Sequence, residues 1–288
     1  MATGVSGGGG VRALGAYGLR LDGLAGAAGA MAPVPADAPV LTVSCEPMAA
    51  DPAGQRPSEV DESGADLRLR GGGRLRMRRG DERVRFAFRV APSADDLLHP
   101  YLAPAAALAQ LWSGHEALHA GAFATAAGAV LVLGGKQDGK STTLAWIAGQ
   151  HGLPVLADDL AIIDDGAVLA GPRCLDLRRD AEIHPPALGE GRLVRARARR
   201  RVPLPGAPDR LPVTAVVALR WGAHTGLEPM PVAERLSALL PQRMFHAQLA
   251  ADPVAVLGLL AVPMWTLTRP RGRAGLTAGV VAVLDQLA

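Results

Sequence analysis

Residues Gly134-Gly135-Lys136-Gln137-Asp138-Gly139-Lys140-Ser141 fit the pattern G-x-x-x-x-G-K-[ST], and the chemistry open to that set is the binding of a polyphosphate. Glycines let backbone N–H groups turn inward on phosphate oxygens, a slim ammonium reaches the outer phosphates, and a hydroxyl ligates Mg²⁺. Lys136 and Lys140 are the only two lysines in a chain that otherwise uses arginine, and arginine is too wide and planar to substitute at 140. Two adjacent carboxylates, Asp158 and Asp159, begin 18 residues after Lys140, a distance filled by one helix and a short loop. Carboxylates beside a polyphosphate hold a divalent ion or take a proton from an attacking hydroxyl; their order in the chain leaves open which does which. Asp164 and Asp165 precede Gly166 and read as turn chemistry. His119 alone is a weak signal.

Elements that would position these groups are legible around them. Ala129–Leu133 is a short apolar run that reads as a strand, and Thr142–Ala148 reads as an opening helix, so the glycine-rich loop falls at a helix N-terminus. Leu153–Ala157 reads as a second apolar strand ending at Asp158-Asp159, giving the strand, loop, helix, strand, carboxylate order of an α/β nucleotide-binding unit. Residues 161–170 read as a hairpin, 213–220 as a strand, 232–240 and 245–260 as helices, 265–267 as a strand and 276–287 as a closing helix. Upstream, Met1–Gly10 is glycine-rich and reads as frayed, Val40–Ser44 is the first convincing strand, and Pro47–Gly64 reads as a loop. From Asp66 to Val90 apolar residues alternate with arginines in short runs, which predicts an antiparallel meander with Arg68, Arg70, Arg74, Arg76, Arg78, Arg83, Arg85 and Arg89 on one face. Residues 100–112 read as a helix where a larger domain begins. Arg192, Arg195, Arg197, Arg199, Arg200 and Arg201, bounded by Gly191 and Pro203, read as a mobile charged loop.

Composition narrows the class. A chain of 288 residues with 49% hydrophobic content has material for one large or two small globular domains. Cys45 and Cys174 are too few for a disulfide framework or zinc site, so the expectation is a reducing, cytoplasmic setting. No secretory leader or membrane span is predicted, and a net charge of +3 does not by itself call for nucleic acid.

On these residues the chain resembles the C-terminal domain of HPr serine kinase/phosphorylase and its kinase-like relatives. His119 lies 15 residues before Gly134, Lys140-Ser141 closes the phosphate loop, Leu156-Ala157-Asp158-Asp159 matches an Ala-Asp-Asp signature, and Asp176-Leu177-Arg178 sits where the family has Glu-x-Arg. The resemblance covers roughly Leu118 to Asp180. It implies an α/β fold with a P-loop core related to phosphoenolpyruvate carboxykinase; the alternating strands upstream read as a small antiparallel β-rich N-terminal domain that differs from the family's longer one, with residues 1–99 and 100–288 as the two parts. Carried over, Gly134, Gly135, Lys136, Gln137, Asp138, Gly139, Lys140, Ser141 and Thr142 would hold ATP, and Lys140 would sit on its β/γ-phosphates. Ser141, Asp159 and Asp176 would hold Mg²⁺, Asp158 would take the acceptor proton, and His119 and Arg178 would face the transferring phosphoryl group. Thr142 stands where the family has an acidic residue, Asp176 replaces its glutamate, and Lys136 and Asp138 make the loop bulkier and more polar.

The resemblance implies an ATP- and Mg²⁺-dependent kinase acting on a hydroxyl. The acceptor expected is a Ser or Thr of a peptide or small protein, as in the shorter family members that phosphorylate ribosomally made precursor peptides such as those of lasso-peptide pathways. A small-molecule hydroxyl kinase and a nucleotide-binding regulator without transfer are the alternatives. The family's hexamers make a homo-oligomer a possibility to test; no nucleic-acid partner or membrane partner is expected.

Overall fold

A computed structural model describes residues 12–48, 57–178, 185–194, 199–250 and 252–287, so Met1–Gly10, Arg195 and Arg197 lie outside the described residues. The described residues build a mixed α/β structure with three sheets. Strands β1 (Arg12–Ala16), β2 (Leu19–Asp22), β3 (Ala32–Pro35), β4 (Val40–Pro47), β5 (Glu59–Val60), β6 (Gly64–Arg68), β7 (Arg74–Arg78) and β8 (Arg83–Phe88) form the first, in the order β3-β1-β2-β4-β8-β7-β6-β5.

The predicted meander is present as β6, β7 and β8, paired antiparallel. The sheet as a whole is mixed, because β4 lies parallel to both β2 and β8. Three strands also precede β4. Their residues are rich in Gly, Ala and Pro, which carry little strand propensity, and pairing with neighbours rather than propensity holds them. The arginine face is not uniform either. Arg74 is buried, with its guanidinium on Asp66 at 2.7 Å, while Arg68, Arg70, Arg76, Arg78, Arg83, Arg85 and Arg89 are exposed.

A short turn of helix, α1 (Ala94–Asp96), and helix α2 (Leu102–Trp112) lead into the second sheet. Leu98, Leu102 and Leu108 pack against Tyr17, Leu75 and Phe86 of the first sheet, together with Leu160, Ile162 and Leu169 from further along the chain. One apolar cluster thus spans the boundary drawn at residues 99 and 100. The chain continues through β9 (Glu116–Leu118), β10 (Gly121–Ala124), β11 (Ala129–Leu133), α3 (Lys140–His151), β12 (Val155–Ala157), β13 (Ala161–Asp164) and β14 (Ala167–Leu169). A three-stranded sheet follows, ordered β15-β17-β16, from β15 (Cys174–Arg178), β16 (Arg192–Val194) and β17 (Arg199–Pro203). The chain closes with β18 (Arg210–Trp221), β19 (Gly226–Pro229), α4 (Val232–Leu239), α5 (Pro253–Ala261), β20 (Met264–Arg269) and α6 (Arg273–Leu287).

Two sequence expectations fail here. Residues 245–250 are turns, and the helix begins only at Pro253, where Asp252 caps it by accepting from Val254 N–H and proline takes the first helical position. The arginine segment that reads as a mobile loop instead supplies strands β16 and β17, because the carboxylate of Asp176 on β15 draws Arg201 into the interior.

The twelve-residue β18 is the axis of the second sheet. Its first residues pair with β14, and the rest runs parallel to β11 on one side and β20 on the other. Strand β12 is antiparallel to β10, which is antiparallel to β11, so β12 runs with β11, β18 and β20. The C-terminal ends of these four strands therefore share one edge, the place where open α/β sheets put their ligands. One face of the sheet is covered by α3 and α6 through Leu144, Ile147, Leu276 and Val280, the other by α4 and α5 through Leu239, Val256 and Leu259.

Candidate functional site

Gly134 follows β11 directly and Lys140 opens α3, so backbone N–H groups at the start of that helix point toward the loop. Gly139 makes the turn with φ +90°, a conformation that costs glycine little, whereas Gln137 adopts φ +75° against the preference of its side chain. Thr143 Oγ1 donates to Gly139 O at 2.9 Å and ties the first turn to the loop. Thr142 is half-buried on that same turn.

Lys140 is buried at 6% exposure, and its ammonium donates to Gly134 O at 2.6 Å and to Gly135 O at 3.3 Å. It also lies 3.2 Å from His119 Nε2. The other ring nitrogen, Nδ1, is 3.0 Å from Asp159 O; a carbonyl only accepts, so the imidazole proton sits on Nδ1 and Nε2 is left to accept from the ammonium. Burial first, and the Lys140 charge second, hold the His119 pKa below its ordinary value. Burial likewise lowers the pKa of Lys140, opposed by Asp159, Asp158 and Asp138. Asp138 folds back over the loop and accepts from Gly135 N–H at 2.5 Å. Lys136 and Gln137 are exposed at its tip.

Asp158 and Asp159 leave β12 at the same edge. Asp158 is 5% exposed. Its Oδ1 accepts from Ser141 Oγ at 2.9 Å, while Oδ2 is buried with no hydrogen-bond partner. Burial first and the neighbouring Asp159 second push its pKa well above the usual carboxylate range. Asp159 is half-buried and has φ +65°, a backbone conformation strained for a residue with a side chain.

Reasoning from sequence missed His99. It is 1% exposed at the entry to α2, and a ligand atom from each of His99, Asp158 and Asp159 lies within 4.8 Å of the others. A lone histidine before a proline, outside the segment that carries the resemblance, gives no signal of this; only the packing of α2 under the first sheet brings it in. The imidazole and two carboxylates are donor types that a divalent cation takes, and the bare oxygen of Asp158 can serve there either as a ligand or as a base.

Asp176, expected beside the metal, lies 3.8 Å from His99 Nε2 and is held there by an arginine. Both its oxygens are taken by Arg201, from Nε at 2.7 Å and Nη2 at 3.0 Å, and Arg201 also reaches the carbonyls of Asp95 and His99. Asp176 still adds to the field that raises the pKa of Asp158. Arg178 is exposed at the end of β15, two residues on.

No family model matches the chain, and no curated protein matches it. Among solved structures it is similar to the Hpr(Ser) kinase/phosphatase from Coxiella burnetii, with a TM-score of 0.30 and 14% identity over 60% of this chain and 97% of that one. So low a score assigns nothing. What the arrangement can do follows from its own groups: a helix N-terminus and a buried ammonium that attract polyphosphate, a cation site beside them, and a carboxylate of raised basicity within reach of both. Among the described residues no helix is long and apolar enough to cross a membrane.

Proposed function

We propose that the chain is an ATP- and Mg²⁺-dependent phosphotransferase that moves the γ-phosphate to a hydroxyl of a peptide or small protein. The observation that carries this reading is Asp158 Oδ2, a buried carboxylate oxygen without a partner, on a side chain bonded to Ser141 at the mouth of the phosphate-loop helix. A purely structural carboxylate so buried would be paired.

In the reading, polyphosphate displaces the carbonyls that Lys140 now contacts, and the ammonium follows the charge. His119, neutral and with Nε2 facing Lys140, steers that ammonium without competing for phosphate. Mg²⁺, when bound, would neutralise charge developing on the transferring oxygens; Ser141, Asp159 and His99 are the groups to hold it. Asp158 then takes the acceptor proton, a task suited to a carboxylate whose basicity burial has raised. Arg70, in the turn between β6 and β7, is near enough to His119 to lower its pKa further. Arg70 is thus the arginine of that face on the side of the site, and an acidic residue beside the accepting Ser or Thr suits it.

The test is incubation with ATP·Mg²⁺ and a panel of Ser and Thr peptides of graded acidity, read as mass gain of one phosphate and as ADP release. Acidic peptides should be modified fastest, and Lys140→Ala should lower the rate by about 10³-fold or more without loss of folding. Absence of both ATP binding and phosphate transfer would sink the proposal.

A further inference from the structure

The edge that carries the phosphate loop has a second cationic wall that the transfer reading leaves unused. In the sheet order β12-β10-β11-β18, with β20 beyond β18, Asp158 leaves β12 on one side of the loop and Trp221 and Arg269 end β18 and β20 on the other. Arg269 is 2% exposed, yet no acidic side chain among the described residues pairs with it. Its one side-chain hydrogen bond among the described residues is Nη2 donating to Thr143 Oγ1 at 3.1 Å, and Nε is buried without a partner. Desolvation alone pulls its pKa to about 10. A buried guanidinium lacking a carboxylate is costly, and it sits directly under the loop: a Cβ on Gly139 would fall 2.7 Å from Arg269 Nη2 and 3.3 Å from the Trp221 ring.

Trp221 binds the loop itself, its indole N–H donating to Gln137 O at 3.3 Å. Two guanidiniums lie against its ring, Arg269 at 4.6 Å from the centroid and Arg271 at 4.5 Å. Arg271 is exposed and Trp221 half-buried. An aromatic ring fixed to a phosphate loop and topped by a solvent-facing planar cation is a stacking surface for a second flat π-system.

We propose that Trp221 and Arg271 form the platform for the base of the nucleotide, and that Arg269 is the buried positive charge whose counter-ion is its polyphosphate. The inference rests on the phosphate-loop reading and extends it from the phosphates to the nucleoside end. It gives Arg269 the anion it lacks, and it explains why an exposed arginine holds a position over a tryptophan at the sheet edge.

The test compares ATP with inorganic tripolyphosphate, by calorimetric titration against the full chain and its variants, with thermal melts to establish folding. Trp221→Ala and Arg271→Ala should each weaken ATP by about 10-fold, as loss of one stacked base does, and leave tripolyphosphate within about 2-fold. Arg269→Gln should weaken both ligands. ATP affinity unchanged in Arg271→Ala and Trp221→Ala overturns the platform, and so does an equal loss of ATP and tripolyphosphate, which would make Trp221 a brace for the loop. A wild-type chain that binds neither ligand overturns the phosphate reading itself, and the platform falls with it.

Discussion

Asp158 and Asp176 are equally buried, at 5% and 4% exposure, and close enough to feel each other's charge. Their surroundings differ in one respect. The carboxylate of Asp176 meets a guanidinium edge-on and both its oxygens are used; that of Asp158 meets one hydroxyl and keeps an oxygen bare. The same contrast recurs among arginines, since Arg201 has its carboxylate and Arg269 has none among the described residues. Interior charges that are satisfied within the chain specify structure, whereas those left wanting a partner of opposite sign mark where a ligand supplies it. On that ground the three-stranded sheet reads as the brace and the edge at β11, β12, β18 and β20 as the candidate site.

Breaking the Asp158 side of the comparison should have the largest effect. Asp158→Asn keeps shape but cannot accept a proton, so phosphate transfer should fall by about 10²–10⁴-fold while ATP still binds. Stability should move the other way. Because the folded state holds the Asp158 pKa above its unfolded value, stability from this group is fully present below the ordinary carboxylate pKa and is lost as pH rises through the raised one. At neutral pH the wild type therefore carries a penalty that asparagine removes, and the variant should melt higher by roughly 2–4 °C for each kcal/mol regained, the gap closing as pH is lowered. His99→Gln and Asp159→Asn should instead raise the metal concentration needed at fixed ATP. A raised metal midpoint for Asp158→Asn with an unchanged one for Asp159→Asn would exchange the two roles.

Breaking the Asp176 side should cost folding, not chemistry. Arg201→Ala strands a buried carboxylate and should destabilise the chain by about 3–5 kcal/mol, measured by denaturant titration, while the folded fraction transfers phosphate at a rate within a few-fold of wild type. If stability holds and transfer collapses, Asp176 is a metal-side group after all, as the family resemblance implies. Arg199 and Arg200 are half-buried beside Arg201, on strand β17.

The site's one-dimensional part was legible because a phosphate loop is local: glycines, Lys140 and Ser141 are contiguous, and the strand and helix around them follow from hydrophobic pattern. Asp158 and Asp159 were legible because a single helix fixes their distance from Lys140. His99 was not, since it reaches the carboxylates from another part of the chain through tertiary packing alone. Nor could Asp176 and Asp158 be told apart, because the partner that separates them, Arg201, lies 25 residues further on in a run of arginines that reads as solvated. Strands β1 to β3 escaped for a different reason: they are only four or five residues long, β1 and β3 are rich in glycine, alanine and proline, and they are ordered by pairing in a chain, β3 on β1, β1 on β2 and β2 on β4.

The smallest effect sharpens the comparison from inside the loop. Asp138 is a third carboxylate at this edge, half-buried, and it satisfies itself by accepting from Gly135 N–H. That bond occupies one donor of a loop whose N–H groups are meant for phosphate, and its negative charge stands close enough to raise the pKa of Lys140. An incoming polyphosphate must therefore work against the carboxylate or turn it out. Asp138→Asn keeps an oxygen for Gly135 and removes the charge, so ATP affinity should rise by about 3–10-fold at low salt, in line with one screened charge near the surface, and by less as ionic strength increases. Asp138→Ala separates the two parts of the argument. Should alanine lower affinity while asparagine raises it, the hydrogen bond holds the loop in its binding shape and only the charge is inhibitory; should asparagine leave affinity unchanged at every salt concentration, Asp138 already points away from where phosphate sits.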